Sequence, residues 1–243
     1  MICSSGIGFD PVVDGAALQF RVAGIYNGVF TMWDATTGSA WSHLDGRSIA
    51  GPLAGTQLAV RPLQTTTWSA WVAAHPETMV PSKDTGASYI RNNALGNEFL
   101  SDRFLGSLVE IPDGRLAANA LMIGVQAGNE ARAFPLEARP DDAPMQDSVG
   151  EVPVVILEDA DGQPVLAYHR ALSDGRVLNF TRDTEGVVRD VETGSRWSGD
   201  GLSLEGELAG VQLTFVTSFL TEYYGWLAFN PGTTIHGLDE PPR

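Results

Sequence analysis

Few residues of this chain could take part in chemistry, and they are far apart in the sequence. The 243 residues include one cysteine, Cys3, and four histidines, and no two histidines stand at the spacing of a metal site. His75 closes a tryptophan-bearing helical stretch, where an imidazole can ionise or can cap carbonyl groups at the helix end. Asp34 precedes a Thr-Gly turn, where a carboxylate can act as a general base or cation ligand, or can accept backbone N–H groups. The structural interpretation is favoured for both residues, and the catalytic one stays open.

Three tryptophans are candidates for ligand binding. Trp41 follows the Thr-Gly turn, and Trp68 and Trp71 share one face of a predicted helix. Aromatic residues at helical spacing belong to a hydrophobic core more often than to a binding surface. Packing is therefore the favoured interpretation, and ligand stacking is the alternative.

Sequence motifs of common enzyme classes are absent. There is no Gly-x-Ser-x-Gly elbow and no glycine-rich phosphate loop. Residues 159–162 begin like a calcium loop but lack its later ligands, so a hairpin turn is favoured. A single cysteine supports no disulfide or thiolate-rich metal site. The sequence thus shows no cofactor and leaves a metal ion open.

The charge of the chain limits its partners. Thirty acidic residues and fifteen Lys plus Arg give a formal net charge of −15. Nucleic-acid binders need a basic surface, so a nucleic-acid partner is not expected. No stretch approaches the roughly 20 apolar residues of a spanning helix, and no signal peptide is visible. We expect a soluble chain whose partner is a small molecule or a protein.

The sequence contains one pattern twice. The Thr-Gly-Ser-x-Trp segment at 37–41 recurs at 193–197, and Leu-Ala-Gly at 53–55 recurs at 208–210. Downstream, Trp71 corresponds to Trp226, and His75 corresponds to Asn230. Several landmarks in the same order predict an internal duplication.

Each landmark predicts an element of structure. The Thr-Gly pair predicts a hairpin turn, and the alternating residues after Leu-Ala-Gly predict a further strand. A short helix follows in each copy, capped by Thr66 or Thr67 in the first and by Thr217 or Ser218 in the second. The pattern predicts a mainly β protein with short helices, in which two pseudo-symmetric repeats form packed small sheets or open barrels. The alternative is one continuous β architecture with shared strands.

The predicted repeats are unequal. The first spans residues 1–83, a connector 84–118, the second 119–236 and a tail 237–243. Strand-like runs at 120–125, 129–135 and 152–157 precede the hairpin of the second repeat and have no counterpart in the first. Either the first repeat borrows strands from the second, or the natural chain extends upstream.

Several motifs resemble one known family. They are Tyr26-Asn27-Gly28, the turn at 34–41, residues 49–55, Trp68-x-x-Trp71, His75-Pro76 and residues 128–136. Together they resemble the domain-of-unknown-function family numbered 3179, a bacterial and archaeal group without an established biochemical role, along nearly the whole chain. Its members carry a Cys-Pro-x-Cys segment, in which Cys3 would match the second cysteine. The resemblance also implies export from the cytoplasm.

Two functions remain open. The first is a non-catalytic binding or structural module of the extracytoplasmic type. The second is a hydrolase or metal-dependent enzyme with a site in the first repeat or between the repeats, built from Asp34, Trp41, His75 and Cys3. Because the first repeat retains His75, we expect any site to lie there.

Overall fold

The computed structural model describes residues 4–82, 102–106, 108–109, 112–159 and 162–238, which form twenty short strands and three short α-helices. The elements of the first half are β1 (Gly8–Phe9), β2 (Val12–Val13), β3 (Ala16–Ala17), β4 (Phe20–Tyr26), β5 (Val29–Asp34), β6 (Ala40–Ser42), β7 (Ser48–Ala50), β8 (Val60–Arg61), α1 (Trp68–Ala74) and α2 (Asp102–Leu105). Those of the second half are β9 (Leu121–Ala127), β10 (Glu130–Pro135), a 3-10 helix (Leu136–Ala138), β11 (Gln146–Val149), β12 (Val152–Glu158), β13 (Pro164–His169), β14 (Phe180–Arg182), β15 (Val188–Asp190), β16 (Arg196–Trp197), β17 (Ser203–Glu205), β18 (Phe215–Val216), β19 (Ser218–Glu222), α3 (Tyr223–Phe229) and β20 (Thr234–Ile235).

The strands form several small sheets. Two of these have the orders β19-β9-β10-β20 and β11-β12-β13-β18, and all the strand pairs are antiparallel except β10–β20. Among the described residues no sheet closes into a barrel. The prediction of a mainly β protein with short helices and small sheets is confirmed.

Two further four-stranded sheets have the same strand order, β4-β5-β6-β7 and β14-β15-β16-β17. Phe20 pairs with Asp34 in the first, and Phe180 pairs with Asp190 in the second. The β4–β5 hairpin is the longer one. Its two-residue turn is Asn-Gly at 27–28, with φ values of 48° and 74°, which is the backbone that a tight hairpin turn requires.

The helix α3 lies where the two halves meet. Its Tyr224 belongs to the same buried cluster as Val29 and Leu44 of the first half. The side chain of Asn27 donates its Nδ2 hydrogen to the carbonyl oxygen of Ala228 at 3.1 Å. One hydrophobic core therefore contains residues from both halves.

The first helix begins and ends where the sequence predicts. Thr67 is the N-cap of α1, and its hydroxyl oxygen accepts the backbone N–H of Ala70 at 3.1 Å. The helix ends at Ala74, and His75 is the C-cap. No helix in the described residues is long and apolar enough to cross a membrane.

The predicted start of the second helix is wrong. Ser218 belongs to β19, which pairs with β9 from Ser218–Val125 onward, so this stretch is extended. The helix begins only at Tyr223, and its N-cap residue, Glu222, makes no side-chain capping bond. Neither Thr217 nor Ser218 caps it, because strand pairing with β9 overrides the local capping preference.

Candidate functional site

Asp34 ends β5 and opens the turn to β6. Its Oδ1 accepts the backbone N–H of Thr37 at 2.5 Å, and its Oδ2 accepts the indole N–H of Trp41 at 2.9 Å. Burial raises the pKa of Asp34, but hydrogen bonds from Trp41 and Thr37 outweigh it and hold that pKa below its usual value. Asp34 and Trp41 are both fully buried. This pair therefore stabilises the turn and is out of reach of a substrate.

The second half contains the same turn. Asp190 accepts the backbone N–H of Thr193 at 2.6 Å and the indole N–H of Trp197 at 2.9 Å. Ser39 in one turn and Ser195 in the other accept the backbone N–H of the leucine of the Leu-Ala-Gly segment, both at 3.0 Å. Because the same hydrogen bonds occur in both turns, their role is structural. The duplication of whole repeats stays a prediction.

The helix α1 presents the other two tryptophans to solvent. Trp68 is 59% exposed, Trp71 is 43% exposed, and no residue of α1 is buried. The ring centroid of Trp71 lies 4.1 Å from that of His75. Trp68, Trp71 and His75 form what we call the aromatic face of α1. The packing interpretation favoured from sequence is wrong for the two tryptophans.

Two shallow hollows flank Trp71. One, of about 470 Å³, is lined by Trp68, Trp71 and residues 64–67. The other, of about 410 Å³, is lined by Trp71 and residues 74–78. Because both are wide open, they suit a broad apolar surface better than an enclosed small molecule.

The corresponding helix α3 is covered. Trp226 is fully buried, and its indole N–H donates to Thr233 Oγ1 at 2.8 Å. Its ring lies over Gly124 of β9, where a Cβ atom would come within 2.2 Å of the ring. Phe219 of β19 packs edge-on at 5.5 Å between centroids. Trp226 thus packs against a sheet surface on which a glycine leaves room for its ring.

A serine and a histidine meet in the first half. Ser5 Oγ lies 3.3 Å from His43 Nε2, Ser5 is buried, and His43 is half-buried. Burial lowers the pKa of His43. The Nδ1 atom of His43 is also buried and has no hydrogen-bond partner within the described ranges. The neighbouring Ser4 donates its hydroxyl hydrogen to Glu222 Oε1 at 2.8 Å, which links this segment to the second half.

The second half has neither residue of this pair. Phe9 and Tyr168 each pair with the corresponding residue of the strand after Leu-Ala-Gly, so they occupy corresponding places in the two halves. In this alignment, Pro164 corresponds to Ser5. Gly199 stands where the first half has His43. A Cβ at Gly199 would lie 2.3 Å from a backbone oxygen, so no side chain fits there.

A deeper hollow, of about 420 Å³, lies in the second half beside Glu158, Gly199 and the β14–β15 hairpin. At one end, Arg182 Nη2 donates to both carboxylate oxygens of Glu158, at 2.7 and 2.5 Å. Burial raises the pKa of Glu158, against the opposing charge of Arg182. The sequence predicts a site in the first half, whereas this hollow is in the second. Its carboxylate is already neutralised by an ion pair.

The structure does not bring the residues predicted as a catalytic set together in one site. Asp34 and Trp41 are bonded to each other, whereas His75 contacts Trp71 and makes no hydrogen bond or ring contact with either within the described part of the chain. Cys3 lies outside the described residues. No group of three His, Cys, Asp or Glu side chains in the described segments could hold a metal ion.

The sequence does not single out Ser5 and His43 as a pair. They are 38 positions apart and belong to no motif. One signal could have pointed to His43, since it lies where the aligned copies differ in length by one residue, and the second copy has a glycine there.

The fold and these surfaces define a mainly β protein with an exposed aromatic helix and a serine–histidine pair. A family model described as a protein of unknown function, DUF3179, matches residues 1–233. The chain therefore belongs to that family, as its motifs predicted. No curated protein and no solved structure matches it.

Proposed function

We propose that this protein is a binding module that docks a partner polypeptide on the aromatic face of α1. The observation that carries the proposal is the contrast between Trp71, which is 43% exposed, and Trp226, which is fully buried. The two residues have the same place in similar helices. An exposed aromatic surface of this kind is typical of an interaction site.

The charge distribution supports docking at α1. Residues 62–76 contain no Asp, Glu, Lys or Arg, in a chain that has 30 acidic and 15 basic residues. Interface centres are depleted in charge and enriched in tryptophan. A partner that covers α1 therefore meets no charged side chain on the helix itself, and one carboxylate, that of Glu77, at the edge of the second hollow.

The surroundings of α3 indicate what kind of partner fits. Trp226 packs on a strand that carries Gly124 opposite the ring. We infer that the partner of α1 is an apolar β-strand surface with glycine opposite Trp71. This is protein recognition between a helix face and a sheet, and it requires no cofactor.

A peptide titration tests this function. The probe is a synthetic peptide of residues 120–136, which contains β9, β10 and Gly124 but no tryptophan. We expect a saturable blue shift of the protein's tryptophan emission, because the strand covers Trp68 and Trp71. A Trp71→Ala variant should bind at least about tenfold more weakly, as at a hot spot.

Two matched controls make the titration specific. Trp33 is 40% exposed on β5, so Trp33→Ala removes a similar surface away from α1 and should bind the peptide normally. A peptide with Gly124→Leu should bind weakly, because the added side chain displaces the indole. The absence of a saturable shift, or equal affinity of Trp71→Ala and Trp33→Ala, would refute the proposed function.

A further inference from the structure

We propose that Ser5 and His43 form a nucleophile and general-base pair that transfers small acyl groups from esters to water. This activity is independent of docking on α1. It uses residues that neither the turn of Asp34 nor the tryptophan helices involve.

The geometry suits proton transfer. The 3.3 Å between Ser5 Oγ and His43 Nε2 is close to hydrogen-bond reach, and such distances are often longer in the absence of a substrate. Burial lowers the pKa of His43, so its imidazole is neutral near pH 7 and can accept a proton. Phe30 packs edge-on against the imidazole at 5.6 Å between centroids and helps to fix its orientation.

The fold does not require this pair. The second half forms the corresponding strands with Pro164 and Gly199 at these places, so neither a hydroxyl nor an imidazole is needed for the architecture. The His43 Nδ1 atom is moreover buried without a partner among the described residues. An unsatisfied buried polar atom is costly and needs a reason beyond packing.

The reaction has two balanced steps. In the first, Ser5 Oγ attacks the carbonyl carbon of the ester while its proton passes to His43 Nε2. The bond to the alcohol oxygen breaks, the alcohol leaves with that proton, and Ser5 carries the acyl group. In the second, water attacks the acyl-serine, releases the acid and restores Ser5. Because Ser5 is buried, the acyl group must be small.

Acetylation by 4-nitrophenyl acetate tests the pair. We expect a burst of nitrophenolate and an acetyl group on Ser5 Oγ, located by tandem mass spectrometry. The Ser5→Ala variant should lose this acetyl group. The His43→Gln variant should acetylate roughly 100-fold more slowly, the lower end of the contribution of a general base. Since imidazoles react with this ester, His169→Gln is the matched control and should keep the burst.

The pH dependence tests the pair without a variant. The burst rate of the unchanged protein should fall as the pH drops through the pKa of His43, which lies below the usual 6.5. Acetylation of Cys3 or the amino terminus instead of Ser5, no acetylation of the folded protein, or a His43→Gln variant that is as fast as the unchanged protein would overturn the proposal. Circular dichroism establishes that each variant is folded.

Discussion

Trp71 and Trp226 occupy corresponding places in two helices of seven residues, and each donates its indole N–H to a threonine seven positions further on. The helix ends also agree, since the cap residues His75 and Asn230 have nearly the same φ and ψ. Only the surroundings differ, because β9 covers Trp226 and no described element buries α1. Local sequence therefore determines the helix, and a distant strand determines whether its tryptophan belongs to the core.

The largest expected effect separates these two tryptophans. Trp226→Ala should lower the free energy of unfolding by about 3–5 kcal/mol, because it leaves a cavity in a fully packed site. Trp71→Ala should change it by no more than about 0.5 kcal/mol, as expected of an exposed side chain. Urea denaturation measures both values. Equal losses would mean that α1 is covered in solution.

Gly124 sharpens the comparison from the other side of the contact. Gly124→Ala should destabilise the protein by about 1–3 kcal/mol, because the new methyl group would overlap the Trp226 ring. Gly232→Ala is the matched control, since no atom lies within 4 Å of the added carbon and its φ is not positive. If Gly124→Ala lowers the free energy of unfolding no more than Gly232→Ala does, β9 does not pack tightly against α3.

The two Asp turns should behave alike, in contrast to the helices. Asp34→Ala and Asp190→Ala should each cost about 1–3 kcal/mol, because each leaves a buried indole N–H and a backbone N–H without an acceptor. The two losses, measured by urea denaturation, should agree within about 0.5 kcal/mol. A large inequality would indicate that one half depends on its turn far more than the other.

A smaller effect concerns acid stability in the second half. Asp147 accepts a hydrogen bond from His236 at 2.6 Å and forms an ion pair with Arg132 at 3.0 Å. Burial raises the pKa of Asp147, but the bonds from His236 and Ser148 and the charge of Arg132 outweigh it, so the folded pKa lies below 3.8. This contribution is complete above the unfolded pKa and is lost as the pH falls through the folded one. Asp147→Asn should flatten the pH dependence of stability below about pH 4, and an unchanged profile would contradict this.

Much of the fold follows from local patterns. The Thr-Gly turns and the Thr67 cap each depend on residues close in sequence, and the structure has them where they were expected. The start of α3 was misjudged because Ser218 pairs with β9, a strand that lies far away in the chain. Competition between a local capping preference and a distant strand is invisible in one sequence.

The candidate sites were predicted less well, for the same physical reason. Trp68 and Trp71 were recognised as one face, but their exposure depends on which element packs against it. Ser5 and His43 carry no motif, and only the tertiary fold brings them within 3.3 Å. Asp34 was correctly weighed as a turn residue, because its partners lie within seven positions.

The Asn27–Gly28 hairpin has a consequence for how the molecule unfolds. It attaches the first half to α3, which packs on β9 of the second half, so the core around α3 contains residues of both halves. Melting should accordingly appear in calorimetry as a single cooperative transition, with equal calorimetric and van't Hoff enthalpies. Two halves that look alike in sequence would then constitute one folding unit, and a protease cut between them would leave fragments that persist only as a complex.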